Sequence, residues 1–422
     1  MRPEAARVAD VLDARVMAPR LAAALGGAAT CHVLDAKYEP GVRATVLYDL
    51  AGRLVRGDLL YPGAVELSGR VSSGCVIEPG MCVRVFPDDP DLPALPWLMD
   101  PLSLGPALAR LHHPGDGRST IRCQIRLLRY RPGKRATVLA KVTPFEPAFV
   151  AKAYHKPDKA AAVAEEASAL AALPTRGRTL RFAPPVGLVG EGDVVAQQAV
   201  DGTTLDTLLA GRGAPGARAV EGVRRAAHAL AELHELPAVT QRQRPVVAEL
   251  HRFGTRAAGV AALDPGFAAR ATHVADRLLD RHGQLPPATL GPVHGDCKPS
   301  QFLLSDTRVH LLDLDHFGIS DQVTDVGTFL ATLRQLAVRR QLTRRTPGTG
   351  ADLEALERVF LLHYLTTRGG DPDAVGRRSR WQQAVALERK ALRAFARAPR
   401  SPLAPALLEE AHRCMDSVER AA

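Results

Sequence analysis

The stretch Pro292-Val293-His294-Gly295-Asp296-Cys297-Lys298-Pro299-Ser300-Gln301-Phe302-Leu303-Leu304, continued by Val309-His310-Leu311-Leu312-Asp313-Leu314-Asp315, decides how this chain folds and what chemistry it can carry. It reads as a compact polar loop, a short apolar strand, a turn at Ser305-Asp306 and a second apolar strand ending in a carboxylate. A hairpin of this form brings Asp296, Gln301 and Asp313 towards one point. One carboxylate can then orient and deprotonate an attacking hydroxyl, while oxygen donors hold Mg2+ on phosphates, as phosphoryl transfer requires.

Working outward, the pattern His-Gly-Asp, an amide five residues on, and an apolar strand ending in Asp resembles the aminoglycoside phosphotransferase and choline kinase group, relatives of protein kinases. The resemblance covers about residues 119–400. It implies an α+β, bilobal protein-kinase-like fold with an antiparallel-sheet N-lobe and a mostly helical C-lobe. It also implies an ATP- or GTP-dependent kinase acting on a hydroxyl of an aminoglycoside, sugar, nucleoside or related metabolite, with antibiotic resistance as one role found in the family. Carried over by position, Asp296 matches the catalytic base, Gln301 and Asp313 the Mg2+ ligands, and Lys298 the Lys that neutralises the transferring phosphate. Lys152, in Phe149-Val150-Ala151-Lys152-Ala153-Tyr154, matches the strand Lys that pairs the α- and β-phosphates, and Glu166 the helix Glu that orients it. In Gln197-Gln198-Ala199-Val200, the carbonyl of Gln198 and the N–H of Val200 match the adenine-facing hinge. The turn Pro132-Gly133-Lys134-Arg135 lies where kinases place the phosphate-covering loop, making Gly133 and Lys134 cofactor-binding candidates. Asp325 matches the Asp that braces the catalytic loop.

Taken singly, Lys152 is an ordinary strand charge and Glu166 an ordinary solvated helix position. Agreement in order, spacing and type across separated positions carries the reading. Three departures refine it. Gln301 stands for the usual Asn, one methylene longer with the same carbonyl donor, as in maltokinase-like sugar kinases. Gly295 replaces the Arg with which protein kinases sense a phosphorylated activation loop. Asp313 and Asp325 are 12 positions apart, too few for an activation segment, which disfavours a protein substrate. No Walker A motif occurs, closing the P-loop route to ATP. Two alternatives remain open: a nucleotide-binding but inactive pseudokinase, motivated by Gln301 and the single-glycine turn, and a dehalogenase-like phosphatase, suggested by Asp313-Leu314-Asp315. The latter leaves Lys152, the hinge and Asp296 unexplained.

Upstream, Tyr38-Glu39-Pro40-Gly41-Val42-Arg43-Ala44-Thr45-Val46-Leu47 recurs as Tyr130-Arg131-Pro132-Gly133-Lys134-Arg135-Ala136-Thr137-Val138-Leu139, identical at eight of ten positions. Each copy reads as strand, Pro-Gly turn and Thr/Val strand. Either one hairpin type is used twice or a half-domain is duplicated. The expected organisation is an N-terminal α/β module over 1–118, a kinase-like N-lobe over 119–200 and a helical C-lobe over 201–422.

Composition excludes other classes. The net charge of +10 splits evenly, +5 on each side of residue 200, with no basic tail and 5% aromatics, so nucleic-acid binding is not expected. Only eight of 55 basic residues are Lys, and Lys134, Lys152 and Lys298 fall where phosphate charge would need them. Six scattered cysteines without a Cys-x-x-Cys pair suggest a reducing compartment. With Glu4, Asp10 and Asp13 at the N-terminus and no long apolar run, the reading is a cytoplasmic protein with no membrane partner, binding a small hydroxylated substrate.

Overall fold

The computed structural model describes residues 4–27, 30–61, 74–112, 121–143, 148–175, 177–211, 215–343 and 350–420. The proposed boundary at 118 lies outside the described residues. The chain divides into two compact units: residues 1–165, 184–199 and 396–399 form the first, and 166–183, 200–395 and 400–422 the second.

Among its described residues the first unit holds two five-stranded antiparallel sheets, each preceded by two helices. Helices α1 (Glu4–Val11) and α2 (Ala14–Leu25) precede β1 (Cys31–Glu39), β2 (Arg43–Leu50), β3 (Arg53–Leu60), β4 (Cys75–Glu78) and β5 (Met81–Val85). Val8, Val11, Leu12 and Val16 predict one helix. The structure breaks it at Asp13, whose carboxylate caps α2 by accepting from the Arg15 N–H at 2.9 Å. Helices α3 (Leu95–Met99) and α4 (Pro101–His112) precede β6 (Arg122–Arg131), β7 (Arg135–Thr143) and β8 (Phe149–Tyr154). After α5 (Pro157–Ala171) and β9 (Leu180–Phe182) come β10 (Pro185–Val189) and β11 (Val194–Gln198).

The strand orders are β1-β2-β3-β5-β4 and β6-β7-β8-β11-β10, the same path through each sheet. The registers agree as well. Thr45 faces Asp58 across β2–β3, and Thr137 faces Lys152 across β7–β8. Alternating side chains of β7 and β8, among them Ala136, Val138, Ala140, Phe149 and Ala151, bury against Leu95, Leu98, Leu104 and Leu108 of α3 and α4. Burial on one side only fixes each strand's register, since a one-residue slip would turn this apolar set outward.

The repeated decapeptide has one function in both copies. Gly41 and Gly133 take positive φ (68° and 64°), which the Pro-Gly turns need. In the first copy Tyr38 O–H (2.7 Å) and Gly41 N–H (2.8 Å) donate to one oxygen of Glu4. In the second, Tyr130 O–H (2.8 Å) and Gly133 N–H (2.7 Å) donate to one oxygen of Asp89. The Tyr-x-Pro-Gly motif is therefore a turn that clasps a carboxylate.

In the second unit, β12 (Thr203–Thr204) and α6 (Leu205–Leu209) lead into α7 (Ala217–His234), α8 (Val246–Val260) and α9 (Pro265–His282). Then follow β13 (Leu290–Val293), β14 (Phe302–Leu304), β15 (Val309–Leu311), β16 (Gly318–Asp321), α10 (Val323–Thr343), α11 (Gly350–Arg368), α12 (Pro372–Arg397) and α13 (Leu403–Arg420). β14 and β15 form the expected hairpin, flanked by β12 and β9, while β13 pairs with β16. One core joins α7, α10 and α11 to the hairpin through Leu230, Phe302, Phe329 and Phe360. A second unites α8, α9, α12 and α13 around Phe253, Phe267, Trp381 and Phe395. Among the described residues no helix is long and apolar enough to cross a membrane.

Candidate active site

The polar loop hangs from the end of β13, and a network of buried hydrogen bonds gives it one shape. Asp325, in the first turn of α10 and fully buried, accepts from the backbone N–H groups of His294 (2.6 Å) and Gly295 (2.8 Å). His234 approaches the same carboxylate at 3.3 Å and meets the Tyr364 hydroxyl at 2.8 Å. His294 spans the loop: Nε2 lies 2.8 Å from the Leu312 carbonyl, and Nδ1 accepts from the Asp296 N–H at 3.2 Å. Those partners demand the neutral ring with its proton on Nε2, so His294 is structural. Gly295 has φ +77°, and a Cβ there would stand 2.2 Å from the His316 carbonyl oxygen. Glycine at 295 is thus a packing requirement, a reason that the Arg-for-Gly comparison in the sequence did not reveal.

Asp296 follows, partly exposed. Its Oδ2 accepts from Lys298 Nζ at 2.5 Å. Burial pushes this carboxyl up, but the Lys298 ammonium, with Arg389 and His316, outweighs that and holds it well below the usual carboxylate range. Pro299–Gln301 form a single 3-10 turn, closed by Gln301 N–H to the Lys298 carbonyl at 2.9 Å. The Gln301 carbonyl accepts from Leu312 N–H at 2.8 Å, and its side-chain Nε2 lies 3.3 Å from Asp313 Oδ2. Here the structure differs from the expected strand ending in Asp. β15 stops at Leu311, Asp313 sits in the left-handed region (φ 62°, ψ 62°), and Leu314–His316 make a 3-10 turn. A non-glycine residue held there costs about 1–2 kcal/mol, a strain that clusters at working sites. The extended Asp-x-Asp strand end that a dehalogenase-like phosphatase needs is not formed.

Asp296 is thus paired with Lys298, and Gln301 with Asp313. The amide carbonyl of Gln301 and the carboxylate of Asp313 are hard oxygen donors, the set Mg2+ takes alongside substrate phosphates. No group of three or more His, Cys, Asp or Glu able to hold a metal occurs among the described residues.

Lys152 stands on β8 between Thr137 and Val195, and Gln198 ends β11 with its N–H on the Pro184 carbonyl at 2.8 Å. The chain passes from the first unit to the second between Ala199 and Val200. Gly133 gives its N–H to Asp89, while Lys134 N–H bonds the Arg131 carbonyl (3.0 Å) and its own carbonyl accepts from His155 N–H (3.1 Å). Glu166 accepts from Thr240 at 2.9 Å and pairs with Arg242.

Sequence reasoning missed Arg389 and Lys390 on α12. Arg389 donates to Glu249 at 3.2 Å and Thr328 at 3.1 Å, and its charge acts on Asp296. Burial, then Arg389, brings the Lys390 ammonium down to about 7. The available signal was Glu388-Arg389-Lys390 set between Leu387 and Ala391-Leu392, a charge triplet flanked on both sides by apolar residues.

A family model described as "Phosphotransferase enzyme family" matches residues 133–359, more than half of the chain. Among solved structures, choline kinase from Cryptosporidium parvum Iowa II is similar with a TM-score of 0.50 at 12% identity, covering 74% of this chain and 93% of that one. That likeness shows a protein-kinase-like fold. A choline/ethanolamine kinase family protein from Mesorhizobium loti aligns with a TM-score of 0.48 at 15% identity (75% and 96% covered). A thermostable mutant of aminoglycoside phosphotransferase APH(4)-Ia, in ternary complex with ADP and hygromycin B, aligns at 0.47 and 12% (70% and 94%). No curated protein matches the chain.

Proposed function

Since the chain belongs to the phosphotransferase enzyme family, we propose that it is an ATP- or GTP-dependent small-molecule kinase that moves the γ-phosphoryl group to a hydroxyl of an aminoglycoside, sugar, nucleoside or related metabolite. The observation that carries this reading is Asp296, kept ionised beside Lys298 in a loop that Asp325 fixes from behind. An acceptor hydroxyl hydrogen-bonded to Asp296 would be aimed for in-line attack. A carboxylate this acidic takes the proton only late, which suits a loose transition state in which positioning and charge neutralisation supply most of the catalysis. Lys298 would neutralise the transferring group as it leaves the nucleotide. Gln301 and Asp313 would hold Mg2+, which when bound neutralises phosphate charge. Lys152 would meet the α- and β-phosphates, Gly133 and Lys134 would cover them, and Gln198 and Val200 would face the base; Glu166, the expected partner of Lys152, has Thr240 and Arg242 on its carboxylate.

The engaged Gly133 N–H and the Gln301 amide turned to Asp313 favour one second reading, a pseudokinase that binds nucleotide without transferring phosphate. Thermal-shift titration with Mg-ATP, paired with an ATP-consumption screen over hydroxylated metabolites and antibiotics, separates the two. Stabilisation with turnover on at least one acceptor is the expected result. Stabilisation with no turnover on any acceptor supports the pseudokinase, and no stabilisation by ATP or GTP overturns both.

A further inference from the structure

The face of the second sheet that carries Lys152 has a counterpart on the first. By register Asp58 occupies the place of Lys152, with Thr45 and Thr137 as the matching cross-strand partners. The correspondence continues where each fifth strand ends: Phe86 N–H bonds the Leu54 carbonyl (3.0 Å), and Ala199 N–H bonds the Ala148 carbonyl (2.6 Å). With a carboxylate in the Lys position, the first sheet is not built to hold phosphate. Its polar face is instead an ion-pair cluster. Arg56 donates to Asp58 (2.7 Å) and Asp91 (2.5 Å) and pairs with Asp89, and Thr45 donates to Asp58 at 2.7 Å.

That cluster ends on the turn of the other copy. The Asp89 side chain is wholly buried, with one oxygen facing Arg56 and the Asp91 N–H (3.0 Å) and the other receiving Tyr130 O–H and Gly133 N–H. A Cβ on Gly133 would lie 3.1 Å from Asp91 Oδ2 and 3.5 Å from Arg56 Nη1, so the turn sits directly on the cluster. We propose that Asp89 is a positioning residue for phosphoryl transfer: from the face of the first sheet that corresponds to the Lys152 face, it locks the Pro132–Gly133 turn and so places Lys134 over the nucleotide phosphates. This rests on the reading above that the turn covers phosphate, and it gives the N-terminal sheet a task in the reaction. Glu4 holds the Gly41 turn in the same way, but no phosphate-binding Lys lies in that copy's sheet, so Glu4 serves as an internal control for the clasp alone.

The test compares full-length wild type with Asp89→Asn, Tyr130→Phe and Glu4→Gln, measuring affinity for Mg-ATP and for adenosine by calorimetry, KM and kcat, and hydrogen exchange over 130–135. Asn at 89 presents an NH2 group either to Arg56 or to the turn's two donors, so one side of the clasp must fail. Losing hydrogen bonds to a charged acceptor should weaken Mg-ATP binding and raise its KM about tenfold, with Tyr130→Phe in between, adenosine affinity unchanged and kcat within about twofold. Exchange over 130–135 should speed up in both variants. Glu4→Gln should lower the unfolding temperature without altering nucleotide affinity. Equal loss of ATP and adenosine affinity, or wild-type KM in Asp89→Asn with only reduced stability, makes the clasp merely structural and overturns the proposal. If wild type binds no nucleotide, the kinase reading falls and this role falls with it, an outcome distinct from wild-type binding that Asp89→Asn leaves intact.

Discussion

Asp325→Asn isolates the brace behind the catalytic loop. The carboxylate accepts two backbone N–H groups with separate oxygens, at 2.6 and 2.8 Å, in a fully buried setting. Asparagine has one acceptor oxygen, so one N–H of His294 or Gly295 must face an NH2 group. A lost hydrogen bond to a charged group, with its donor left buried and unpaired, costs roughly 1.5–3 kcal/mol. That is a large part of the about 5–15 kcal/mol that holds a domain folded. Trp381 is fully buried in the second unit and Trp97 lies in the first, so in a Trp97→Phe background Trp381 fluorescence reports the second unit alone. With a urea m-value of about 2 kcal/mol/M, the midpoint should fall by about 1 M. Phosphoryl transfer should fall by about tenfold or more even far below that midpoint, because Asp296 is adjacent to the released backbone. An unchanged midpoint together with unchanged kcat would refute the view that Asp325 shapes the loop.

Other predictions concern backbone and charge. Gly295→Ala places a methyl 2.2 Å from a backbone carbonyl at φ +77°, so transfer should be lost while far-UV circular dichroism stays close to wild type. The Glu388 side-chain oxygens have no hydrogen-bond partner among the described residues, and burial, with Asp276 and Glu249, pushes its carboxyl up to about 9. The folded protein therefore keeps a proton there that the unfolded chain releases near 4.3, so stability from this group is lost as pH rises from about 5 to 9. Glu388→Gln should flatten that slope in urea titrations, with its gain over wild type small at pH 5 and largest at pH 9. Lys390 has the opposite sign: lowered to about 7, it sheds its proton in the folded state while the unfolded chain keeps it to about 10.4, so stability rises above pH 7. Lys390→Met should stabilise most below pH 7, and an equal gain at pH 6 and 10 would contradict the assignment.

The hairpin that carries the candidate site was legible because its residues are close in sequence. Gln301 and Asp313 flank one hairpin, whose apolar strands and Ser305-Asp306 turn bring the Gln301 amide to 3.3 Å from Asp313. The sheets were legible from alternation and from the Pro-Gly turns. What escaped depends on backbone angles and distant partners. The left-handed Asp313 shortens the strand, and no side-chain periodicity records a φ angle. Gly295 is required by a carbonyl 21 positions away in sequence. The break between α1 and α2 interrupts an apolar spacing that reads as continuous. The repeat announced two like hairpins, but not that each turn holds a carboxylate, since Glu4 and Asp89 lie outside the repeated residues. Arg389 and Lys390 escaped because burial on α12 is set by packing among four helices.

The most direct measurement is transfer of the labelled γ-phosphoryl of ATP or GTP to a panel of hydroxylated acceptors with Mg2+, comparing wild type with Asp296→Ala and Asp313→Ala at matched fold content. Wild type should label at least one acceptor on a hydroxyl, and both variants should label none. Equal labelling in wild type and Asp296→Ala would contradict the account.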